Sequence, residues 1–348
     1  MFENASRTEL TEMGEFGLIQ HLAQHFESSA DTTQLGIGDD CTVIQRDEHS
    51  FSLISTELYL EGVHFDLTFH PLKHLGYKLV TAGVSDILAM NGKPEQVLIS
   101  IGLSNRFSLE AVEELYAGVR LACDKYKVDL VGGDTTTSRS GLVLNITAVG
   151  SVSKSSITYR KGNVKPNDLL VVTGDLGGAY MGLQVLEREK RVFMEVPSMQ
   201  PDLEQFDYII GRQLRPEARW DAVALLQELG VVPGVMMDIS DGVASEIFHL
   251  AKANSIGFDI FEEKLPIDPQ TVETAVSFDL NPSIVALNGG EDYELLFTVG
   301  QDQYEVIKNQ PDFTIIGYVT DLVLKNQLIT KAGNTFDIKA QGWPESQK

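Results

Sequence analysis

The sequence predicts a mixed α+β and α/β protein in two units. Residues 1–150 read as a mixed sheet with helices on one face, and residues 151–348 as an α/β unit. Three observations carry this. Apolar runs of strand length alternate with helical periodicity in both halves. Several strand-like runs end in a Gly/Asp turn that leads into a helix. A Ser-, Lys- and Gly-rich stretch, 151–168, lies between the halves and carries Lys154, Arg160, Lys161 and Lys165.

Taken in order, Glu9 to Phe26 fits a helix with Leu18, Ile19, Leu22 and Phe26 on one face. Gly36–Asp40 is a tight loop. Cys41–Gln45 and Phe51–Ser55 read as strands around the turn Asp47-Glu48-His49. Glu61–Phe65 is a loop. Pro71 suits the first turn of a helix running to Met90, stopped by Asn91-Gly92. Gln96–Leu103 is a strand, and Ser108 caps a helix through Tyr126. Val128–Val131 is a short strand leading into a Gly132–Thr137 loop, and Leu142–Val149 follows as a strand. In the second half, Leu169–Thr173 is a strand before a helix to Arg191. Pro216 opens a helix to Leu229, closed by Gly230. Met236–Ile239 precedes a helix from Asp241 to Ala253. Phe258–Glu262, Tyr293–Val299 and Thr314–Val319 are strands, and Leu322–Ile338 is a terminal hairpin.

The 348 residues are 43% hydrophobic, with 27 basic and 50 acidic side chains for a net charge of −23. Such a chain repels nucleic acid and anionic membranes. A phosphorylated substrate would meet like charge unless cations screened it. Two cysteines, Cys41 and Cys123, make neither a disulfide framework nor a zinc site, and fit thiols in a reducing cytoplasm. Met1–Leu10 lacks the apolar run of a signal peptide, and no stretch reaches membrane-span length.

The chemistry concentrates in Gly36-Ile37-Gly38-Asp39-Asp40 and its acidic echoes: Ser55-Thr56-Glu57, Ser85-Asp86, Gly132-Gly133-Asp134 and Asp238-Ile239-Ser240-Asp241. Each alone is ordinary turn chemistry. Together they point to several Mg²⁺ ions handling phosphate, because hard cations take oxygen ligands and bridge to phosphates. Asp86 falls on the edge of a buried helical face, where a carboxylate needs a partner. Asp241 reads equally as a helix cap. The Gly132–Thr136 stretch offers bare N–H groups beside a carboxylate, suited to a nucleotide phosphate and its metal. There is no Walker A pattern, and Gly174–Gly178 is explained as well by helix packing on a strand. Arg160 is a phosphate clamp or a solvated charge, and His64 a loop histidine.

The ordered set Gly-Ile-Gly-Asp-Asp, Ser-Thr-Glu-Leu-Tyr-Leu-Glu-Gly-Val-His-Phe, Val-Ser-Asp-Ile-Leu-Ala-Met-Asn-Gly, Gly-Gly-Asp-Thr-Thr, Asp-Ile-Ser-Asp-Gly and Gly-Gly-Glu-Asp-Tyr-Glu-Leu resembles the thiamine-monophosphate kinase family from about Gly36 to Val319. That family sits in the aminoimidazole ribonucleotide synthetase-like superfamily. The resemblance implies ATP-dependent phosphorylation of thiamine monophosphate to thiamine diphosphate, in a homodimer paired through the N-terminal unit with ATP near the pairing. It implies Asp39, Asp86, Asp134, Asp238 and Asp241 as Mg²⁺ ligands, with Ser55, Thr56 and Glu57 beside them. Of these, Asp39, Asp86, Asp134 and Asp241 would carry catalysis. Gly133, Asp134, Arg160 and Ser240 would meet the nucleotide, and His64, Glu291 and Trp343 the thiamine. Two departures stand out: Glu57 where the family has Asp, and a Gly-Trp-Pro-Glu-Ser ending where it has Gly-aromatic-Asp-His-Phe.

The expected reaction is in-line transfer onto an oxygen that is already anionic, which needs charge neutralisation and positioning rather than a strong base. The alternatives are a sister synthetase of the purine or selenophosphate type, or an inactive nucleotide-binding relative. A selenophosphate enzyme would need a mobile N-terminal nucleophile, and Cys41 instead enters a strand.

Overall fold

The computed structural model describes residues 10–340. Its first sheet runs in the order β1-β2-β3-β6-β4-β5, built from Thr33–Leu35, Thr42–Gln45, Ser50–Leu60, Lys93–Leu103 (β4), Asp129–Thr137 (β5) and Val143–Ser153 (β6). Every pairing is antiparallel except β4 with β5. The long β3–β6 pair holds one unbroken register, from Ser50 opposite Ser153 to Leu60 opposite Val143.

The second sheet contains Leu169–Thr173 (β7), Met236–Asp238 (β8), Gly257–Phe261 (β9), Leu295–Val299 (β10), Phe313–Thr320 (β11), Asn326–Ile329 (β12) and Thr335–Asp337 (β13), in the order β13-β12-β9-β11-β7-β10-β8. It too is mixed, with only β9–β12 parallel. The expected C-terminal hairpin is the β12–β13 pair.

Helices α1 (Leu10–Ala23), α2 (Leu72–Ala89) and α3 (Leu109–Tyr126) belong to the first half. The second holds α4 (Gly178–Glu195), α5 (Asp207–Leu214), α6 (Trp220–Glu228), α7 (Val243–Asn254), α8 (Pro269–Ser277) and α9 (Pro282–Asn288).

Helix α2 organises the molecule. It is buried around nearly its whole circumference, from Leu75 to Ala89 with only Asp86 less enclosed. A helix apolar on all sides has to be covered on all sides. Here β3, β4 and β6 cover one side, α3 another, and α5, α6 and β8 of the second half the rest. The α2–α3 crossing is tight because glycines sit at it. A Cβ on Gly76 would fall 2.0 Å from the Leu115 carbonyl, and one on Gly118 1.7 Å from that of Lys73. One apolar core therefore continues from Leu53, Leu79 and Ile146 into Val223, Leu295 and Phe297 of the second half. Each such side chain contributes on the order of 1.5–3 kcal/mol by burial.

Several sequence expectations change. The N-terminal helix is interrupted at Gly14 (φ 66°), and Ile19, Leu22 and Phe26 remain exposed. The segment from Gly132 to Thr137 is not a loop but the body of β5. Pro216 does not open a helix: α6 starts at Trp220. The preceding turn is instead held across α2 and α3, where Ala218 N–H donates to Tyr126 Oη at 2.9 Å. Helices α5, α8 and α9 were not expected, although Asp268 and Asn281, each followed by proline, cap α8 and α9.

Candidate active site

Four segments bring carboxylates to one place. The loop before β2 supplies Asp39 and Asp40. Strand β3 supplies Glu57 on the face it shares with buried Ser55 and Tyr59, as strand alternation requires. Helix α2 supplies Asp86, and the end of β8 with the turn into α7 supplies Asp238, Asp241 and Glu246.

Their electrostatics are those of like charges held together. Burial, then the charge of Asp40, raises Asp39 to about 7. Glu57 rises to about 7 through burial and Asp241. Asp238 rises to about 8 through burial and Asp40. Asp86 and Glu246 are pushed well above the carboxylate range, and Asp40 and Asp241 are also raised, burial leading in every case.

Among the described residues Arg160 is the cation bonded to this group. Its guanidinium meets Asp40 Oδ1 at 2.7 Å, and its backbone N–H donates to Asp39 Oδ2 at 3.0 Å. Ser85 Oγ donates to Asp238 Oδ2 at 2.6 Å, and Ser55 Oγ to the Gly83 carbonyl at 3.3 Å. Asp40 Oδ2 is buried without a partner. The cap question at Asp241 is settled by geometry: Gly242 is the N-cap of α7, with no side-chain cap bond. The Asp241 N–H donates to Glu246 Oε1 at 3.0 Å.

A second patch adjoins this one. Glu291 N–H donates to the Ser240 carbonyl at 2.7 Å, which ties the Glu291 turn to the Ser240-Asp241 turn. Tyr59 and Tyr293 share a hydroxyl–hydroxyl hydrogen bond of 2.6 Å between the two halves. The exposed ring of His64 lies 5.3 Å from that of Tyr59, and its Nδ1 accepts from Leu60 N–H.

Thus Asp39, Glu57, Asp86, Asp238 and Asp241 come together with Ser55 and Arg160, and His64, Ser240 and Glu291 flank them. Three predicted positions are placed elsewhere. Thr56 is on the opposite face of β3, where its Oγ1 accepts from Asn145 at 2.9 Å. Gly133 and Asp134 lie on β5, an exposed edge strand, with Asp134 opposite Ser100. No side-chain hydrogen bond or ion pair among the described residues links Asp134 to the other acids. Gly133 is there for packing: at φ 155°, a Cβ would lie 1.8 Å from the Ile99 carbonyl. Trp343 lies outside the described residues.

Comparison with known proteins bears on the family of the chain. Residues 38–152 match the family model described as AIR synthase related protein, N-terminal domain. The thiamine-monophosphate kinase of Bacillus subtilis (strain 168) is 32% identical over 332 residues, 93% of this chain and 96% of that protein. That of Aquifex aeolicus (strain VF5) is 34% identical over 313 residues, covering 90% and 93%. The chain belongs to the thiamine-monophosphate kinase family. A solved structure described as AaThiL complexed with AMPPCP and TMP superposes with a TM-score of 0.79 at 30% identity, over 99% of this chain and 98% of that one.

Beyond the residues expected for this kinase family, the structure adds Asp40, Ser85 and Glu246. Asp40 stands within the first motif. Glu246 was hidden because an acid in the first turn of a helix reads as dipole pairing. The all-oxygen donor set and the orphaned Asp40 Oδ2 fit Mg²⁺. Among the described residues, no three His, Cys, Asp or Glu side chains close into a ready metal cage.

Proposed function

We infer that this chain is an ATP-dependent thiamine-monophosphate kinase, transferring the γ-phosphoryl group of ATP to the phosphate of thiamine monophosphate and yielding thiamine diphosphate. The observation that carries this is the near-complete superposition, at 30% identity, on a relative described with both an ATP analogue and TMP. The carboxylate group supports it. Seven acids with raised carboxyls against one bonded arginine mark a site short of positive charge, and once ionised they would repel two phosphorylated substrates unless cations intervened. Bound Mg²⁺ would neutralise the charge that develops on the transferring phosphoryl oxygens.

In this reading Asp39, Asp86, Asp238 and Asp241 hold the metal ions, with Glu57 and Ser55 beside them. Arg160 orders Asp39 and Asp40 and faces the nucleotide along with Ser240. His64, Glu291 and Trp343 receive the thiamine. The acceptor phosphate oxygen is already anionic, so the residues position and neutralise rather than remove a proton.

The division into residues 1–150 and 151–348, and pairing of two chains through the first unit, belong to the same reading. The exposed edge of β5, with Leu130 and Val131, is the surface a second copy would cover. It would place Gly133, Asp134 and the nucleotide near that pairing, with Thr56 on the outer face of the same sheet. Two buried free thiols, Cys41 and Cys123, suit a cytoplasmic setting.

The test is ADP release from ATP and Mg²⁺, with and without thiamine monophosphate, while product is followed by chromatography. Stimulated turnover with thiamine diphosphate appearing is the expected result. ATP binding without stimulation would move the chain to a sister synthetase or an inactive relative.

A further inference from the structure

Lys78, near the middle of α2, is one of the largest fully buried side chains of the molecule. Its Nζ lies 2.9 Å from Glu291 Oε1 and donates to the Gln213 carbonyl at 3.0 Å. The other oxygen of the same carboxylate, Glu291 Oε2, accepts from Gln213 Nε2 at 3.0 Å. Both oxygens of Glu291 are thus held from the protein side, while 29% of its side chain stays exposed.

An ion pair kept only for stability is a weak reason to bury a lysine, because apolar replacements usually serve as well. The partner here is no core acid. It sits in a turn where Glu291 (φ 57°) and Tyr293 (φ 52°) are both left-handed, a backbone that persists only where its surroundings hold it. The same helix carries Ser85, which bonds Asp238, and Asp86 two turns further on. One rigid element therefore fixes the carboxylates of the phosphoryl-transfer end and the carboxylate of the thiamine end at a set separation.

We propose that Lys78, assisted by Gln213, is a positioning residue for the thiamine end of the site, holding the Glu291 carboxylate at the place where it receives the substrate. This rests on the kinase reading above. Lys78 touches neither substrate; it acts through Glu291.

The experiment compares wild type, Lys78→Met, Gln213→Leu, Glu291→Gln and the double variant Lys78→Met/Glu291→Gln in steady-state kinetics with each substrate varied. In Lys78→Met the KM for thiamine monophosphate should rise about tenfold or more, the loss of a charge-assisted hydrogen bond. The KM for ATP should stay within about twofold, a change under half a kcal/mol. Gln213→Leu should move the same parameter in the same direction by less, and it leaves no buried charge unpaired, so it decides the matter should Lys78→Met fail to fold. The double variant should be no worse than Glu291→Gln alone. Equal rises in both KM values, multiplying effects in the double variant, or an unchanged KM for thiamine monophosphate in Gln213→Leu with a misfolded Lys78→Met would each overturn the proposal. An inactive wild type would overturn the kinase reading instead, and this assignment with it.

Discussion

Asp238 and Glu294 are near neighbours across the second sheet. Asp238 pairs in register with Leu295, and Ile239 N–H donates to the Glu294 carbonyl. Both side chains are almost fully buried, at 3% and 1% exposure. Glu294 meets two cations, Arg212 at 3.0 Å and Arg219 at 2.7 Å, and accepts from the Thr173 hydroxyl at 2.6 Å. Asp238 has one neutral donor, Ser85, and faces other carboxylates. The comparison teaches what a buried acid is for. Where the protein supplies the counter-charge, the acid ties elements together, here α5 and α6 to the sheet. Where it does not, the acid is set against its own stability, and in the kinase reading Mg²⁺ would supply the missing charge.

The largest effect is expected at the paired end. Arg219→Met leaves Glu294 with one cation in place of two and should cost about 3 kcal/mol or more of unfolding free energy. Denaturant titration measures this, and a loss under about 1 kcal/mol would mean the pairing is not what stabilises this region.

At the unpaired end the expectation inverts. Asp238→Asn should lower turnover on the order of 100-fold or more. The same change should leave the unfolding midpoint of the metal-free protein unchanged or higher, because one charge leaves a crowded group. If midpoint and turnover fell together, Asp238 would be a structural acid like Glu294.

His70 sharpens the contrast as a buried titratable group with no counter-ion. It is 2% exposed, its Nε2 has no partner, and burial, then the charges of Lys78 and His74, push it down to about 3. The folded state keeps this ring neutral while the unfolded state protonates below about 6.5. Stability is therefore intact above that pH and lost as pH falls from 6.5 toward 3, by up to about 1.4 kcal/mol per pH unit. Subtracting the stability–pH curve of His70→Phe from that of wild type should isolate this slope, and parallel curves would refute it.

Much of this was legible in the chain. The helix from Pro71 to Met90 lies within a residue of α2 at each end, because its apolar residues recur on every turn and Asn91-Gly92 stops it. Ser108 caps α3 as its spacing requires, accepting from Ala111 N–H at 3.3 Å. The acidic motifs singled out Asp39, Asp86, Asp238 and Asp241, which the fold brings together, and also Asp134, which it leaves on β5. Gly132–Thr137 misled, because glycines in a strand look like a loop until a neighbouring strand is known to pass within contact of them. The burial of Lys78 was equally invisible, since nothing local distinguishes a paired lysine from a solvated one.

The alternation of strands and helices, the excess of carboxylates over cations and the positions of the acidic turns follow from local periodicity and composition alone. Which acids meet which partners depends on the folded arrangement. Glu57 on β3 and Glu294 just before β10 are the same residue type, yet Glu294 is gripped by Arg212 and Arg219 and Glu57 faces Asp241. The charge state of a buried carboxylate is set by groups within a few ångströms in space, and the chain folds those groups in from distant positions, 82 and 75 residues away for the two arginines on Glu294.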